Sequence, residues 1–301
     1  MDSVSVSVHS ILYNNKLASL EHALEGLAQA ALISKKENLL HGKMIVRYGD
    51  ASPRRLISET VLSLWNARWS EFLDIQYFYW NENTGTAKGH NRLAKDVKNG
   101  YIMIMNPDII ISAKAIAYML APFAENEDVG MTEARQVPIE HHKEYSKENG
   151  ETSWAATACA MYPAKVFHEN GGYDEHFFMY CDDLDFSWRL RLLGYRIIYV
   201  PEAMAFHAKS LSVDGKWEAT EAEHYYSAEA GLLMAYRWSR EDILENILTY
   251  FESSSSTYHQ KAKETFEKLM KEGKLPKKLD KDHKIADFVD GGYGKSRFKW
   301  S

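Results

Sequence analysis

Residues 171–207 read GGYDEHFFMYCDDLDFSWRLRLLGYRIIYVPEAMAFH. A turn, an acidic cluster, a helix, a strand and a histidine follow one another without interruption. Gly171-Gly172 is a turn signal. Leu184, Trp188, Leu192 and Leu193 recur at the spacing of one buried helical face. Gly194 stands where the C-terminal cap of that helix belongs. Tyr195 to Val200 is a short apolar run that reads as a strand, with Pro201 as its stop. Asp182, Asp183 and Asp185 open the helix. One acid there is explained by capping and by the helix dipole. Three in four residues are not, because like charges held together cost energy unless a proton or a cation is shared. The cluster points to a base, a metal or a basic ligand.

The stretch resembles the second half of a family-2 glycosyltransferase of the GT-A fold, in its rhamnosyltransferase-like branch. Gly171, Gly172, Tyr173, Asp174, Glu175, Phe178, Tyr180, Asp182, Asp183, Asp185, Arg189, Gly194, Pro201 and His207 all match that family's signature. Asp182 departs from it mildly, since glutamate is commoner at its position.

Length and composition set the bounds. The chain has 301 residues, 45% of them apolar and 26% charged, an ordinary balance for a globular protein with a sizeable core. A net charge of -6 gives no global attraction to nucleic acid or to anionic membrane. The two cysteines, Cys159 and Cys181, have neither metal spacing nor a redox motif, and read as reduced thiols of a cytoplasmic protein. No basic-then-apolar leader opens the sequence, and no apolar run approaches the ~20 residues of a membrane span.

Before residue 171, strands and helices alternate. Val4–Leu12, Met44–Val46, Ile75–Trp80 and Tyr101–Met105 read as strands. Leu17–Ile33, Leu56–Trp69, Lys88–Lys98 and Ala113–Phe123 read as helices. This order predicts an α/β fold with a mostly parallel, Rossmann-like central sheet flanked by helices. Ligands of such sheets bind beyond the carboxyl ends of the strands. Three polar loops fall there: Tyr13-Asn14, Gly49-Asp50-Ala51-Ser52 and Asn106-Pro107-Asp108. The Gly-rich run Asn83-x-Gly85-x-Ala87-x-Gly89-x-Asn91 is expected to let backbone approach a ligand closely. It is neither a dinucleotide fingerprint nor a P-loop.

The resemblance extends to these loops. It implies a nucleotide-sugar site formed by Tyr13, Asn14, Asp50, Ser52, Asn83, Gly85, Gly89, Asn91, Asn106 and Asp108. Asp50 is displaced by one position from the family's usual acid. Asn106-Pro107-Asp108 occupies the place of the metal-binding D-x-D, so Asp108 and His207 are the implied ligands of a Mn or Mg cation. Trp154–Met161 resembles the segment lining the sugar pocket. Asp183 aligns with the catalytic base; Asp182 and Asp185 are the implied catalytic neighbours that tune it, with Arg189 as salt-bridge partner of Asp185.

The implied activity is inverting hexosyl transfer from a nucleotide diphospho-sugar to a glycan, lipid-linked or protein acceptor, in polysaccharide or glycoconjugate synthesis. A catalytically inactive nucleotide-sugar binder or scaffold on the same fold is the alternative. A phosphoryl-transfer enzyme or nuclease would need more carboxylates around paired metals and a basic groove. A nucleic-acid partner is therefore not expected.

The catalytic domain is expected over 1–210, its donor half at about 1–110 and its acceptor half at about 111–210. Residues 139–153 read as a mobile acceptor-side loop; His141 and His142 lack the partners of a zinc site. Residues 211–301 read as a helical extension with a basic tail. Tyr225–Trp238 and Glu241–Phe251 have core-facing spacing. They are expected to dock on the catalytic domain. The part after Ser256 is then left for a second copy of the chain or for peripheral membrane contact at the inner face, through the lysine-rich run and Arg297-Phe298-Lys299-Trp300.

Overall fold

The structure is a computed structural model that describes residues 4–139, 144–207, 220–286 and 288. Four parallel strands form its N-terminal half: β1 (Val6–Leu12), β2 (Met44–Asp50), β3 (Leu73–Tyr79) and β4 (Tyr101–Met105), in spatial order β3-β2-β1-β4. The connecting helices are α1 (Leu17–Lys36), α2 (Glu59–Arg68) and α3 (Gly85–Ala94). β1 and β4 are buried along nearly their whole length, as strands covered on both faces must be. Ser58 starts α2 by accepting a hydrogen bond from the Val61 N–H at 3.3 Å, which moves the helix start three residues past the predicted Leu56.

The sheet continues from β4 through β8 (Cys159–Pro163), β6 (Val129–Val137), β9 (Arg196–His207) and β5 (Ile109–Ile111). β8 is antiparallel to both β4 and β6, β6 runs parallel to β9, and β5 and the short β7 (Glu151–Thr152) are antiparallel to β9. α4 (Ala115–Glu125), α5 (Ala164–Glu169) and α6 (Asp182–Leu192) complete this half. The sequence reading missed β5, β6, β7, β8 and α5.

Pro201 does not stop β9. The register with β6 jumps from Ala134–Val200 to Arg135–Met204, so residues 201–203 bulge out where proline has no N–H to donate. The strand then resumes, and His207 ends it opposite Ile109. Gly194 does cap α6. It has φ +89°, its N–H donates to Arg191 O, and the Tyr195 N–H donates to Leu190 O, the paired bonds of a Schellman ending.

Three helices follow: α7 (Glu221–Arg237), α8 (Glu241–Ser253) and α9 (Thr257–Lys271). α7 opens with a reciprocal capping box between Thr220 and Glu223. These helices share one apolar cluster with α6: Phe177, Leu184 and Trp188 meet Leu232, Leu233, Phe251 and Phe266. Docking through Phe251 agrees with the sequence reading. The expectation that everything after Ser256 stands free does not hold. Ala262 and Phe266 of α9 are fully buried, and the chain beyond it returns to lay Phe288 edge-on against Trp188 at 5.2 Å. Lysine density hid this, because Leu275, Leu279 and Ile285 lie between the charges and supply the apolar contacts. Among the described residues no helix is long and apolar enough to cross a membrane. His141, His142, Lys143 and the tail with Arg297–Trp300 lie outside the described residues.

Candidate active site

The loops beyond β1 and β2 are knitted to each other. Asn14, in left-handed backbone at φ 56°, donates its N–H to Ser52 Oγ at 2.9 Å. Asp50 is fully buried. Its Oδ1 accepts from the Ser52 N–H at 3.0 Å; its Oδ2 accepts from the Leu56 N–H at 2.9 Å and from the Tyr77 hydroxyl. Burial first, and the bond to Asp50 second, push the Tyr77 phenol up to about 12. The one-residue displacement of this acid thus has a structural counterpart: Asp50 organises its own turn. Tyr13, half exposed, is the large side chain this region offers to solvent.

The Gly-rich run opens α3, and its small residues face protein. A Cβ on Gly85, at φ +64°, would fall 2.2 Å from Phe178 O; one on Gly89 would fall 2.8 Å from Ile11 Cδ1. Asn83 Oδ1 accepts from the Gly85 N–H at 3.4 Å. Asn91 holds Tyr173 by both backbone groups, at 2.8 and 2.9 Å. Between them Thr86 donates its N–H to Phe178 O at 2.9 Å and its hydroxyl to Asp182 Oδ2 at 2.8 Å. The run is therefore the seat on which the acidic loop rests. Thr86 was not a sequence candidate; its only signal was its place inside this run.

The acidic loop enters α6 through two consecutive left-handed residues, Tyr180 (φ 68°) and Cys181 (φ 56°). Such backbone costs roughly 1–2 kcal/mol per non-glycine residue, and it persists where surrounding contacts over-determine it. The loop delivers its three aspartates into three environments. Asp182 is buried; burial first, and the charge of Asp183 second, push its carboxyl up to about 7, against the pull of Thr86 and the helix N–H groups. Asp183 is less buried, and accepts from the Leu184 N–H at 2.8 Å and the Thr157 N–H at 3.4 Å. Asp185 is wholly buried, with Arg189 Nε at 2.7 Å, Arg237 Nε at 2.6 Å and Trp238 Nε1 at 3.2 Å. Asp182 and Asp183 thus stand together, while Asp185 is enclosed by donors.

The Asn106-Pro107-Asp108 turn leaves β4 with the Asn106 N–H donating to Ala158 O at 2.8 Å. It brings Asp108 Oδ2 to 3.5 Å from His207 Nε2 at the end of β9. Gln136 Oε1 lies 3.0 Å from His207 Nδ1. This contact fixes the ring so that Nε2 is the nitrogen facing the carboxylate. A carboxylate and an imidazole nitrogen side by side, with the ring held by an outer contact, fit a divalent cation. Among the described residues no group of three or more His, Cys, Asp or Glu gathers to hold a metal, so the chain offers two ligands here. Gln136 was missed because β6 was missed.

No family model matches the chain. Curated relatives do. It is 34% identical over 74 residues to an N-acetylglucosaminyl-diphospho-decaprenol L-rhamnosyltransferase of Mycobacterium tuberculosis, over 25% of this chain and 24% of that protein. It is 26% identical over 165 residues to a poly-beta-1,6-N-acetyl-D-glucosamine synthase of Staphylococcus aureus, over 49% of this chain and 38% of that one. The chain thus matches well under half the length of either relative. A crystal structure of GalNAc-T7 with UDP, GalNAc and Mn2+ superposes over 94% of this chain and 57% of its own, with a TM-score of 0.64 at 13% identity, a likeness of fold. A parallel sheet that ends in polar loops and an antiparallel β8 leading toward a pinned acidic helix start give the chain the GT-A fold, and over the segments matched it is similar to relatives named for glycosyl transfer.

Proposed function

We propose that the protein transfers a hexosyl or deoxyhexosyl group, with inversion, from a nucleotide diphospho-sugar to an acceptor hydroxyl in polysaccharide or glycoconjugate synthesis. The observation that carries this reading is the paired carboxylates Asp182 and Asp183 at the start of α6, one withdrawn and one more exposed. The acceptor oxygen attacks the anomeric carbon as its proton passes to the Asp183 carboxylate. The bond from that carbon to the diphosphate oxygen breaks, and its electron pair leaves with the diphosphate. General-base assistance of this kind is worth on the order of 10²–10⁴ in rate. Asp182, held by Thr86 and pushed up by burial, keeps a second full charge away from the base.

Asp108 and His207 are the residues that would hold a Mn or Mg cation, with imidazole favouring Mn. When bound, such a cation neutralises charge on the departing diphosphate as a Lewis acid. Tyr13, Asn14, Ser52, Asn83 and Asn106 border the strand ends where the nucleotide would lie. One observation favours the rival, an inactive sugar-nucleotide binder: Asp50, the acid nearest the family's usual nucleotide contact, is enclosed in its own turn.

Turnover of UDP-, dTDP- and GDP-sugars with Mn, and again with EDTA, tests the proposal. Turnover of at least one donor, lost in EDTA and in both Asp108→Ala and His207→Ala, is the expected result. A donor that raises the melting temperature by mass action without any turnover overturns it in favour of the binder. Turnover indifferent to EDTA removes the cation.

A further inference from the structure

Arg237 lies in the last turn of α7, outside the stretch that carries the family signature, and is 7% exposed. Its Nε donates to Asp185 Oδ1 at 2.6 Å. Its Nη1 lies 2.9 Å from Asp174 Oδ2 and donates to Lys277 O at 2.9 Å. Asp174 and Asp185 bracket the loop that contains Tyr180, Cys181, Asp182 and Asp183. One guanidinium therefore grips both ends of the segment that presents the acids. A planar fork does this; a lysine, with its single ammonium, reaches one carboxylate at a time. α7 holds the middle of the loop as well. Glu223 accepts from the Tyr180 hydroxyl at 2.8 Å, and Tyr226 stacks on Phe178 with ring centres 4.6 Å apart. The same Phe178 carbonyl takes the Thr86 N–H, and Thr86 holds Asp182.

The loop cannot hold this shape alone. Its two left-handed residues favour relaxation, and its two adjacent carboxylates repel. The restraint comes from the C-terminal helices. We propose that Arg237 is a positioning residue for the transfer reaction: it staples Asp174 to Asp185 and thereby holds Asp182 and Asp183 in place against Thr86 and Thr157. The C-terminal helices are on this view a working part of the catalytic centre. The proposal rests on Asp182 and Asp183 being that centre, as argued above.

The chain supplies its own reporter. Of its two cysteines, Cys159 is fully buried and its thiol is pushed up by that burial, while Cys181 is half-buried inside the stapled loop. The labelling rate of Cys181 by an aromatic disulfide reagent reads loop opening without any sugar. In the full chain, Arg237→Gln and Arg237→Lys are expected to speed this labelling, and to lower kcat, by about tenfold or more, with donor KM within about twofold. Phe266→Leu, a cavity in the apolar cluster beside the staple that removes none of the staple's hydrogen bonds, is expected to lower the melting temperature and leave both readouts unchanged. Asp174→Asn cuts the same staple from its less buried end and decides the matter where Arg237→Gln does not fold. Labelling unchanged in the staple variants, or raised as much by Phe266→Leu, overturns the proposal. Absence of transfer by the wild type overturns the reading of the centre, while the labelling still decides the staple.

Discussion

Asp50 at the end of β2 and Asp182 at the start of α6 are both buried carboxylates, and their surroundings differ. Asp50 receives two backbone N–H groups and a tyrosine hydroxyl. Asp182 has the Thr86 hydroxyl and helix N–H groups, and a second carboxylate beside it. A carboxylate whose oxygens are all taken by donors of its own turn and by a tyrosine is scaffold. A carboxylate that is buried and stands beside a like charge is pushed toward its protonated form, and its neighbour is then left as the one ionised carboxylate of the pair. The donor side of the molecule builds its loops from its polar residues. The acidic side spends contacts from distant helices to keep its acids unrelaxed.

The largest effect that follows is at Asp183. Asp183→Asn is nearly isosteric and keeps one acceptor oxygen, for the Leu184 N–H at 2.8 Å, giving up only the longer 3.4 Å bond from the Thr157 N–H. Transfer should fall by a factor on the order of 10²–10⁴ while donor binding and the unfolding midpoint stay put. Single-turnover transfer alongside calorimetric donor binding checks this. A variant at near wild-type rate would show that the acidic pair is scaffold too, and the contrast between the two sides would collapse.

A second effect lies beneath the donor loops. His9 on β1 and His90 on α3 are buried, and the Nδ1 of each has no partner among the described residues. Burial lowers both pKa values, that of His90 to about 3. The unfolded chain binds these protons near pH 6.5, the folded chain only far below. Their contribution to stability is therefore complete above about pH 6.5 and is lost as pH falls from there toward 3. His90 alone should cost about 2 kcal/mol by pH 5, and His9 acts in the same sense. Urea unfolding at pH 7 and pH 5 measures it, and His90→Leu should reduce the difference. An unchanged stability across that interval would mean that the rings are already protonated or solvated.

Much of this was legible in the sequence, for reasons that differ by region. The β1 to β4 alternation was readable because strands buried on both faces are continuous apolar runs such as Tyr101–Met105. α6 was readable because its cap, Gly194, and its apolar spacing agree. β6 escaped, since Val129–Val137 interleaves Glu133, Arg135 and Gln136 with its apolar residues; Glu133 and Gln136 are buried nonetheless. Gln136 behind His207 escaped with it. Thr86 and Arg237 are of another kind. A threonine in a Gly-rich run and an arginine at a helix end carry no local mark of function, because what they do is decided by a partner about a hundred and about fifty positions away respectively. The return of the chain onto Trp188 was masked by lysines that lie at the surface while their neighbours do not.

The smallest effect is the most pointed test of the contrast. Asp50 stands one position from the nucleotide-contacting acid that the resemblance implies, and both of its oxygens are committed: Oδ1 to the Ser52 N–H, Oδ2 to the Leu56 N–H and Tyr77. Asp50→Asn keeps the Oδ1 bond and sets an amide against the Leu56 N–H. Leaving that buried donor unsatisfied should cost about 1–3 kcal/mol of folding stability. Because the turn that carries Ser52 and Asn14 keeps its Oδ1 bond, nucleoside diphosphate affinity should change by no more than about twofold, or about 0.4 kcal/mol. Titration calorimetry with UDP, dTDP and GDP beside urea unfolding separates the two. A tenfold loss of affinity with stability intact would place the Asp50 carboxylate on the ligand, and the donor side would then have to be read as the acidic side is, as a site whose carboxylate is held for chemistry rather than for the turn.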